Sequence, residues 1–354
     1  MAFSAGELAN IANAAMDFFV KGKAFAQTIQ EKPLLNAMIS KQETFPGGKE
    51  NISIPVQFDY DTSSFQGYTH NDTVGYTNPA NIKRAAYPWK EVHAGISLTL
   101  TELKIDGISV VDSMNSARTS EHSQRDLTVL TGLLENKLSD MAESWSRSFD
   151  TMLHLDGTQD AKEVAGIAHL IASDAVTGGA PTTGVVGGID RATVAAWRNR
   201  SATGAAKITA SPAAQTLTKF LRGELRQLRR YNGRPDLVIC GSGFIEALES
   251  EIHEKGVYTQ NGFAKGTNDI GMTDIFMQGV GRFIYDPSLD DAGKSKFAYF
   301  IDTKNVKLKV MEGEDRKTHT PARPATQYVL YRAMTWTGGL VARQLNGCGV
   351  YEVA

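Results

Sequence analysis

Residues 51–60 read NISIPVQFDY, in which Ile52, Ile54, Val56, Phe58 and Tyr60 alternate without a fault with Asn51, Ser53, Pro55, Gln57 and Asp59. A period of two puts every apolar side chain on one face of a strand. The run VHAGISLTL at 92–100 repeats the pattern with Val92, Ala94, Ile96, Leu98 and Leu100. Paired, the two runs make a ribbon with one apolar face, and such a ribbon is marginal in water and prone to edge pairing. Pro55 removes a ladder donor and marks the first strand as an edge. Something must cover that face. The segment between the runs, 61–91, is polar but dotted with Phe65, Tyr68, Tyr76, Tyr87 and Trp89, the composition of a wet, adaptable contact surface. Folding back on its own domain is one solution, but the pattern favours a second chain as the cover. An arm of one subunit lying on the next is a heterologous contact, which repeats into rings or shells.

The chain has 354 residues, room for two domains or one core with large excursions. Its 37 Lys and Arg against 39 Asp and Glu leave no global bias toward nucleic acid or a membrane surface. Cys240 and Cys348 lack metal-ligand spacing and read as buried free thiols of a reducing compartment. The start, MAFSAGELAN, lacks the positive charge and apolar core of a signal peptide, and no window is apolar enough to span a bilayer. A soluble, intracellular product without membrane contact is the expectation.

Ser4 and Glu7 form a capping box ahead of Leu8, Ile11, Phe18 and Phe19, predicting a helix over 4–20. A short apolar segment follows from Pro33 to the FPGG turn at 45–48. Farther on, Leu127, Leu130, Leu134, Leu138, Met141, Trp145 and Phe149 recur every three or four residues. This is one stripe on one long helix, about 115–156, which would reach roughly 60 Å. It lacks the β-branched set of a parallel coiled-coil dimer, which favours a spine across one domain. Residues 157–187 are rich in Gly, Ala and Thr and read as a loop. Ser211-Pro212 opens a helix carrying Leu217, Leu221, Leu225 and Leu228, DLVIC at 236–240 is a buried strand, and Ser242 caps the next helix. Strand–helix alternation predicts a small α/β domain over about 158–320. QYVLYRAMTW, a Gly338-Gly339 turn and LVARQ predict a closing hairpin.

Chemistry is sparse. None of the seven histidines has the spacing of a metal helix. CGSG at 240–243 sits between strand and helix but misses the G-x-S-x-G nucleophile pattern, which leaves Ser242 as a helix cap and a hydrolase using Cys240 or Ser242 as the rival reading. No cofactor motif survives. The one basic concentration is KFLRGELRQLRRYNGR at 219–234, with Lys219, Arg222, Arg226, Arg229 and Arg230 on the outer surface of a helix. Clustered cations suit phosphate, but Tyr231 is the only aromatic close to the arginines at the end of the stretch, Phe220 lying near its start. A solvated face, or one paired with acids of a neighbour, is favoured over a nucleic-acid contact.

Three stretches carry a resemblance: KPLLNAMISKQETFPGGKENIS (32–53), VGGIDRATVAAWRN (186–199) and MTWTGGLVAR (334–343). They resemble the major capsid proteins of tailed bacteriophages, whose shells are of the HK97 type, and the order of elements agrees along nearly the whole chain. The resemblance implies an α+β fold with an N-terminal arm (1–49), an extended E-loop (50–101) and a P-domain (102–199) holding the spine helix. It further implies an A-domain (200–326) and closing P-domain strands (327–354). In that family the E-loop lies across the adjacent subunit, so the implied function is self-assembly into hexamers and pentamers. These close an icosahedral shell around double-stranded DNA, held without sequence-specific binding. A virion capsid assembled in host cytoplasm follows, with portal, separate scaffolding and decoration proteins as implied partners and no enzymatic activity. An encapsulin-like compartment holding an enzyme cargo is the rival within the fold. The inter-subunit Lys–Asn cross-link of the family's namesake is not expected here, although Lys83, Lys90 and Asn346 are candidate partners.

Overall fold

The computed structural model describes residues 3–4, 30–60, 62, 64–78, 80–99, 101, 110–111, 124–174, 176, 179–254, 275–277, 281–319, 321 and 329–354. The helix expected over 4–20 lies outside them. The elements run β1 (Phe3–Ser4), α1 (Pro33–Ser40), β2 (Glu43–Phe45), β3 (Asn51–Gln57), β4 (Ile82–Pro88), β5 (Lys90–Thr99) and β6 (Val110–Val111). Then come α2 (Gln124–His154), α3 (Ile167–Leu170), β7 (Val185–Val186), β8 (Ile189–Asp190), β9 (Arg200–Ala202), α4 (Thr216–Arg229), β10 (Leu237–Cys240) and α5 (Ser242–Glu254). The chain finishes with β11 (Ile275–Met277), β12 (Gly281–Tyr285), α6 (Pro287–Asp291), β13 (Phe297–Ile301), β14 (Val306–Met311), β15 (Lys317–His319), β16 (Val329–Ala342) and β17 (Gly349–Glu352).

Contacts divide the chain into two units that interleave along the sequence: 1–30, 91–149 and 310–337 form the first, and 31–90, 150–309 and 338–354 the second. In the first, β15 lies antiparallel to β16 with Thr318 opposite Met334, and β5 also pairs with β16. Leu138, Met141, Trp145 and Phe149 of α2 are buried. Trp145 stacks on Phe149 at 4.9 Å between ring centroids, and Phe149 meets Trp336 edge-on at 4.7 Å. The side chains of Leu127, Leu130 and Leu134 are not described. The described helix runs from Gln124 to His154, about 46 Å at 1.5 Å per residue, and the expected stretch before it, 115–123, lies outside the described residues.

The second unit is built on a six-stranded sheet in the order β11-β12-β10-β13-β17-β9. LVIC of β10 is buried at every position because it is central, antiparallel to β13 and parallel to β12. The C-terminal β17, grouped in sequence with the closing strands, sits inside this sheet between β13 and β9. Leu217, Leu221 and Leu228 of α4 join Phe244 and Leu248 of α5 in one core with Val238, Phe283, Phe300 and Tyr351.

Three local expectations need correction. Gly338-Gly339 is not a turn: β16 runs unbroken through both. A Cβ at Gly339 would stand 3.2 Å from the Pro88 carbonyl oxygen, so the glycine permits close backbone approach. Helix α4 starts at Thr216 and not at Ser211-Pro212, with Gln215 left-handed at φ 54° and no side chain of its own as cap. The cap comes from α5. The buried Glu251 carboxylate accepts from the backbone N–H of Leu217 (2.9 Å) and Thr218 (2.8 Å) and from the Thr218 hydroxyl (2.9 Å). Nor does Ser242 cap its helix; it is the first helical residue, and its N–H donates to Asp290 at 3.0 Å.

Burial pushes the Glu251 carboxyl up, but the Thr218 and Leu217 hydrogen bonds outweigh it and hold the group below its ordinary 4.5. A lowered folded value means stability that is present above pH 4.5 and lost as pH falls below it through the lower folded value. Replacing Glu251 with Ala leaves the first N–H groups of α4 buried without an acceptor, which costs about 2 kcal/mol. Urea unfolding of Glu251→Ala checks this, and Glu251→Gln should weaken the acid-side loss; an unchanged midpoint in both would refute the cap.

Candidate inter-subunit surface

The first alternating run is a strand, but its partner is not the second run. β3 pairs antiparallel with β4, Ile52 opposite Tyr87 and Ile54 opposite Ala85, while the 92–100 run, as β5, pairs with β16. The sequence hides β4 because IKRAAYP buries only Ala85 and Tyr87; Lys83, on the same face, is exposed at its end, and Arg84 lies on the opposite face. On β5, Val92, Ala94 and Ile96 are half-buried and Leu98 is buried.

The cover of the ribbon also differs from the expected second chain: it comes from the same unit. Ile52, Ile54, Val56, Ala85 and Tyr87 are all buried. The Tyr87 hydroxyl donates to the Ala342 carbonyl at 3.0 Å, and the Ala86 N–H donates to the Gly187 carbonyl at 2.9 Å. Gly187 turns at φ 59°, and a Cβ there would come within 3.1 Å of both Ala85 and Tyr87, so only glycine brings this turn against the ribbon. The turn, between β7 and β8, is held by the buried Trp197, whose indole N–H donates to the Val186 carbonyl at 3.1 Å. Trp89 is half-buried and donates to the Lys49 carbonyl at 2.9 Å. Tyr87 and Trp89 therefore brace the base of the ribbon within their own unit.

Alternation stops at Gln57. Phe58, half-buried, sits under the Lys83 ammonium 5.3 Å from its ring, and its N–H donates to the Asn81 carbonyl. From Asp59 to Ala80 every described residue is exposed. Phe65 is 91 %, Tyr76 92 %, Tyr60 75 % and Tyr68 71 % exposed. Tyr60, assigned by alternation to the apolar face, belongs to this tip; the Asp59 carboxylate takes its N–H at 2.8 Å and ends the strand pattern. A tight turn closes the tip, with Asp72 accepting from the N–H (2.8 Å) and hydroxyl (2.9 Å) of Thr69, which lowers the Asp72 carboxyl. The outcome is an anchored ribbon carrying four solvent-facing aromatic rings, a patch that a monomer rarely leaves bare.

The other candidates separate from this surface. Lys219, Arg222, Arg226, Arg229 and Arg230 are all exposed along α4 and its end. Cys240 is buried, and burial, with Asp286 nearby, pushes its thiol well up, the reverse of an activated nucleophile. One further cluster escaped the sequence because its members lie far apart: Asp150, His154 and Asp286, all buried. Asp286 meets His154 Nε2 at 2.9 Å, while Nδ1 faces the Asp150 carbonyl oxygen at 2.8 Å and its carboxylate at 3.6 Å. A carbonyl only accepts, so Nδ1 carries a proton. The two carboxylates meet opposite ring nitrogens, which makes a buried ion pair and not the shell of one metal ion. Ser288 donates to Asp150 at 2.5 Å. Burial pushes His154 down, but Asp286 and Asp150 hold it above its ordinary value; burial raises Asp150 in spite of His154 and Ser288.

No protein-family model matches the chain, and no curated protein matches it in sequence. Solved structures do. The cyanophage A-1(L) capsid asymmetric unit matches with a TM-score of 0.62 at 14 % identity, over 94 % of this chain and 96 % of that one. The capsid of a native GTA particle gives 0.55 at 12 %, over 94 % of each chain. The capsid of Myoviridae phage XM1 gives 0.51 at 10 %, over 94 % and 95 %. At such identities the likeness is one of fold: the chain has, from end to end, the HK97-type α+β fold of capsid subunits.

Two outcomes are expected of the unassembled subunit. Replacing both Phe65 and Tyr76 with Ala leaves the urea-unfolding free energy within about 0.5 kcal/mol, whereas Tyr87→Ala loses about 3 kcal/mol of packing; equal losses would contradict the division between tip and base. For the His154 cluster both raised values have one sign. The folded state holds extra protons, so the contribution is full below the unfolded values and is lost as pH rises through the folded ones. His154→Gln should be less stable at pH 6 and should show a smaller fall between pH 6 and pH 9 than the parent.

Proposed function

We propose that this chain is a major capsid protein, whose copies join into hexamers and pentamers and close an icosahedral shell around double-stranded DNA. The observation that carries the reading is the aromatic tip, exposed on a ribbon whose base is buried in its own subunit, in a chain with a capsid-subunit fold. Burying four aromatic side chains at about 150–250 Å² each removes roughly 600–1,000 Å². That matches the ~800 Å² one partner contributes to a standard interface. The tip and its receptor are different surfaces, so the contact is heterologous and propagates around a ring. Phage and GTA capsids among the structural neighbours favour nucleic acid over an enzyme cargo as the contents. The same reading brings a portal, separate scaffolding and decoration proteins as partners, host cytoplasm as the assembly site and the virion as the destination. It assigns no catalysis: Cys240 is buried with its thiol pushed up, and both nitrogens of the nearby His154 are engaged.

Removing all of 61–91 would take β4 with it and expose the apolar face of β3. The informative variant replaces 60–80 with Asn-Gly, a two-residue hairpin turn that keeps the β3–β4 ladder. Negative-stain microscopy of the intact chain should show rings or closed particles, and the shortened chain should give discrete folded subunits. Normal shells from the shortened chain would sink the proposed role of the tip.

A further inference from the structure

We infer that the outer face of α4 binds the phosphate backbone of double-stranded DNA. The overall charge of −2 conceals a local concentration: between 219 and 234 six cations, Lys219, Arg222, Arg226, Arg229, Arg230 and Arg234, stand against one carboxylate, Glu224. The structure sorts these by face. All six cations are exposed. Glu224 points the other way, buried, and is taken by Arg200 through two bonds of 2.7 and 2.8 Å and by the Tyr351 hydroxyl at 3.2 Å. The helix itself therefore offers its outer cations no exposed carboxylate. Lys219 donates to the Ala214 carbonyl and Arg226 to that of Arg222, both neutral acceptors. Arg230 lies over the Tyr231 ring, whose residue is 58 % exposed.

The spacing suits a phosphate row. Lys219, Arg222, Arg226 and Arg229 recur at three or four positions, one straight stripe. From 219 to 230 the helix rises about 17 Å, the length of roughly five phosphates along one strand at 3.4 Å each. Five of the six cations are arginine, whose planar fork matches phosphate oxygens in pairs. A second copy of this chain is the weaker occupant. Among the described residues, several carboxylates that could meet it are already matched: Glu43 by Lys307, Lys309 and Arg343, Asp236 by Lys41, Glu314 by Lys317. At the hairpin tip, Asp59 and Asp72 each accept a local N–H. The contact involves phosphate and no base edge, so it reads no sequence.

The inference does not depend on shell formation. Full-length protein, kept unassembled as judged by sedimentation, is titrated into a fluorescent 30-base-pair duplex between 50 and 200 mM salt. Five phosphate contacts give a log–log slope of about −4.5, a roughly 500-fold loss over that range. Arg222→Gln with Arg226→Gln should reduce the slope by about 2 and weaken binding at least tenfold. The control, Lys207→Gln with Lys304→Gln, removes two exposed charges elsewhere in the same unit and should bind as the parent does. Far-ultraviolet circular dichroism and melting midpoints confirm that all three fold. No binding at 50 mM salt overturns the inference, as does equal weakening in both variants. A helix variant that loses ring assembly while binding DNA normally overturns it too, and assigns the stripe to a subunit contact.

Discussion

The rest of the molecule depends on how the apolar face of the β3–β4 ribbon is buried. Five side chains, Ile52, Ile54, Val56, Ala85 and Tyr87, lose their water to the Gly187 turn and the end of β16. Two close approaches make this possible, Gly187 against Ala85 and Tyr87, and Gly339 against the Pro88 carbonyl. A Cβ at either position would crowd its neighbours, at 3.0 Å from Ala85 and 3.2 Å from the Pro88 carbonyl oxygen. With the base held in this way, the 59–80 segment needs no core of its own. Its aromatic rings stand in water and contribute nothing to the fold of this chain.

Carboxylates buried in the second unit act as staples between distant segments. Glu251 closes the start of α4 from α5, Glu224 joins α4 to β9 through Arg200, and Asp286 joins α6 to the end of α2 through His154. The first of them replaces a local signal that the chain lacks, since α4 has no side-chain cap of its own. Their proton affinities move in opposite directions. Glu251 binds its proton more weakly in the folded state, whereas Asp150 and His154 bind theirs more strongly. Acid therefore loosens one staple and alkali another, which confines best stability to the intermediate range.

Much of this was legible in the sequence where one residue pattern had one physical solution. The alternation at 51–57 is the strand β3, LVIC at 237–240 is a buried central strand, and Leu138, Met141, Trp145 and Phe149 are the buried stripe of a long helix. The stretches resembling capsid proteins led to the right fold when composition could not. What stayed hidden were relations between segments. β4 has too few apolar residues to announce itself, so the pattern pairs β3 with 92–100 and points to another chain for the cover, whereas the partner is β4. Gly338-Gly339 looks like a turn, but β16 runs through it, and Gly339 lets the Pro88 backbone come close. Ser211-Pro212 looks like a helix start because the true cap, Glu251, lies thirty-odd residues downstream.

The sequence also misleads through its averages. A total charge of −2 suggests a protein indifferent to polyanions, but net charge is a sum over faces that act separately beyond a Debye length of about 8–10 Å. Here the cations of 219–234 face water together while their one acid is turned inward. The aromatic rings likewise concentrate in the tip, which from 59 to 81 carries no Lys or Arg. A tip without cations has little attraction for phosphate, and an arginine stripe with a single exposed ring beside it is a poor seat for apolar contact. The second unit thus presents two surfaces of different chemistry, each suited to a partner that the other would reject. Under the capsid role proposed above, this separation keeps the contact between copies from competing with the contact to nucleic acid.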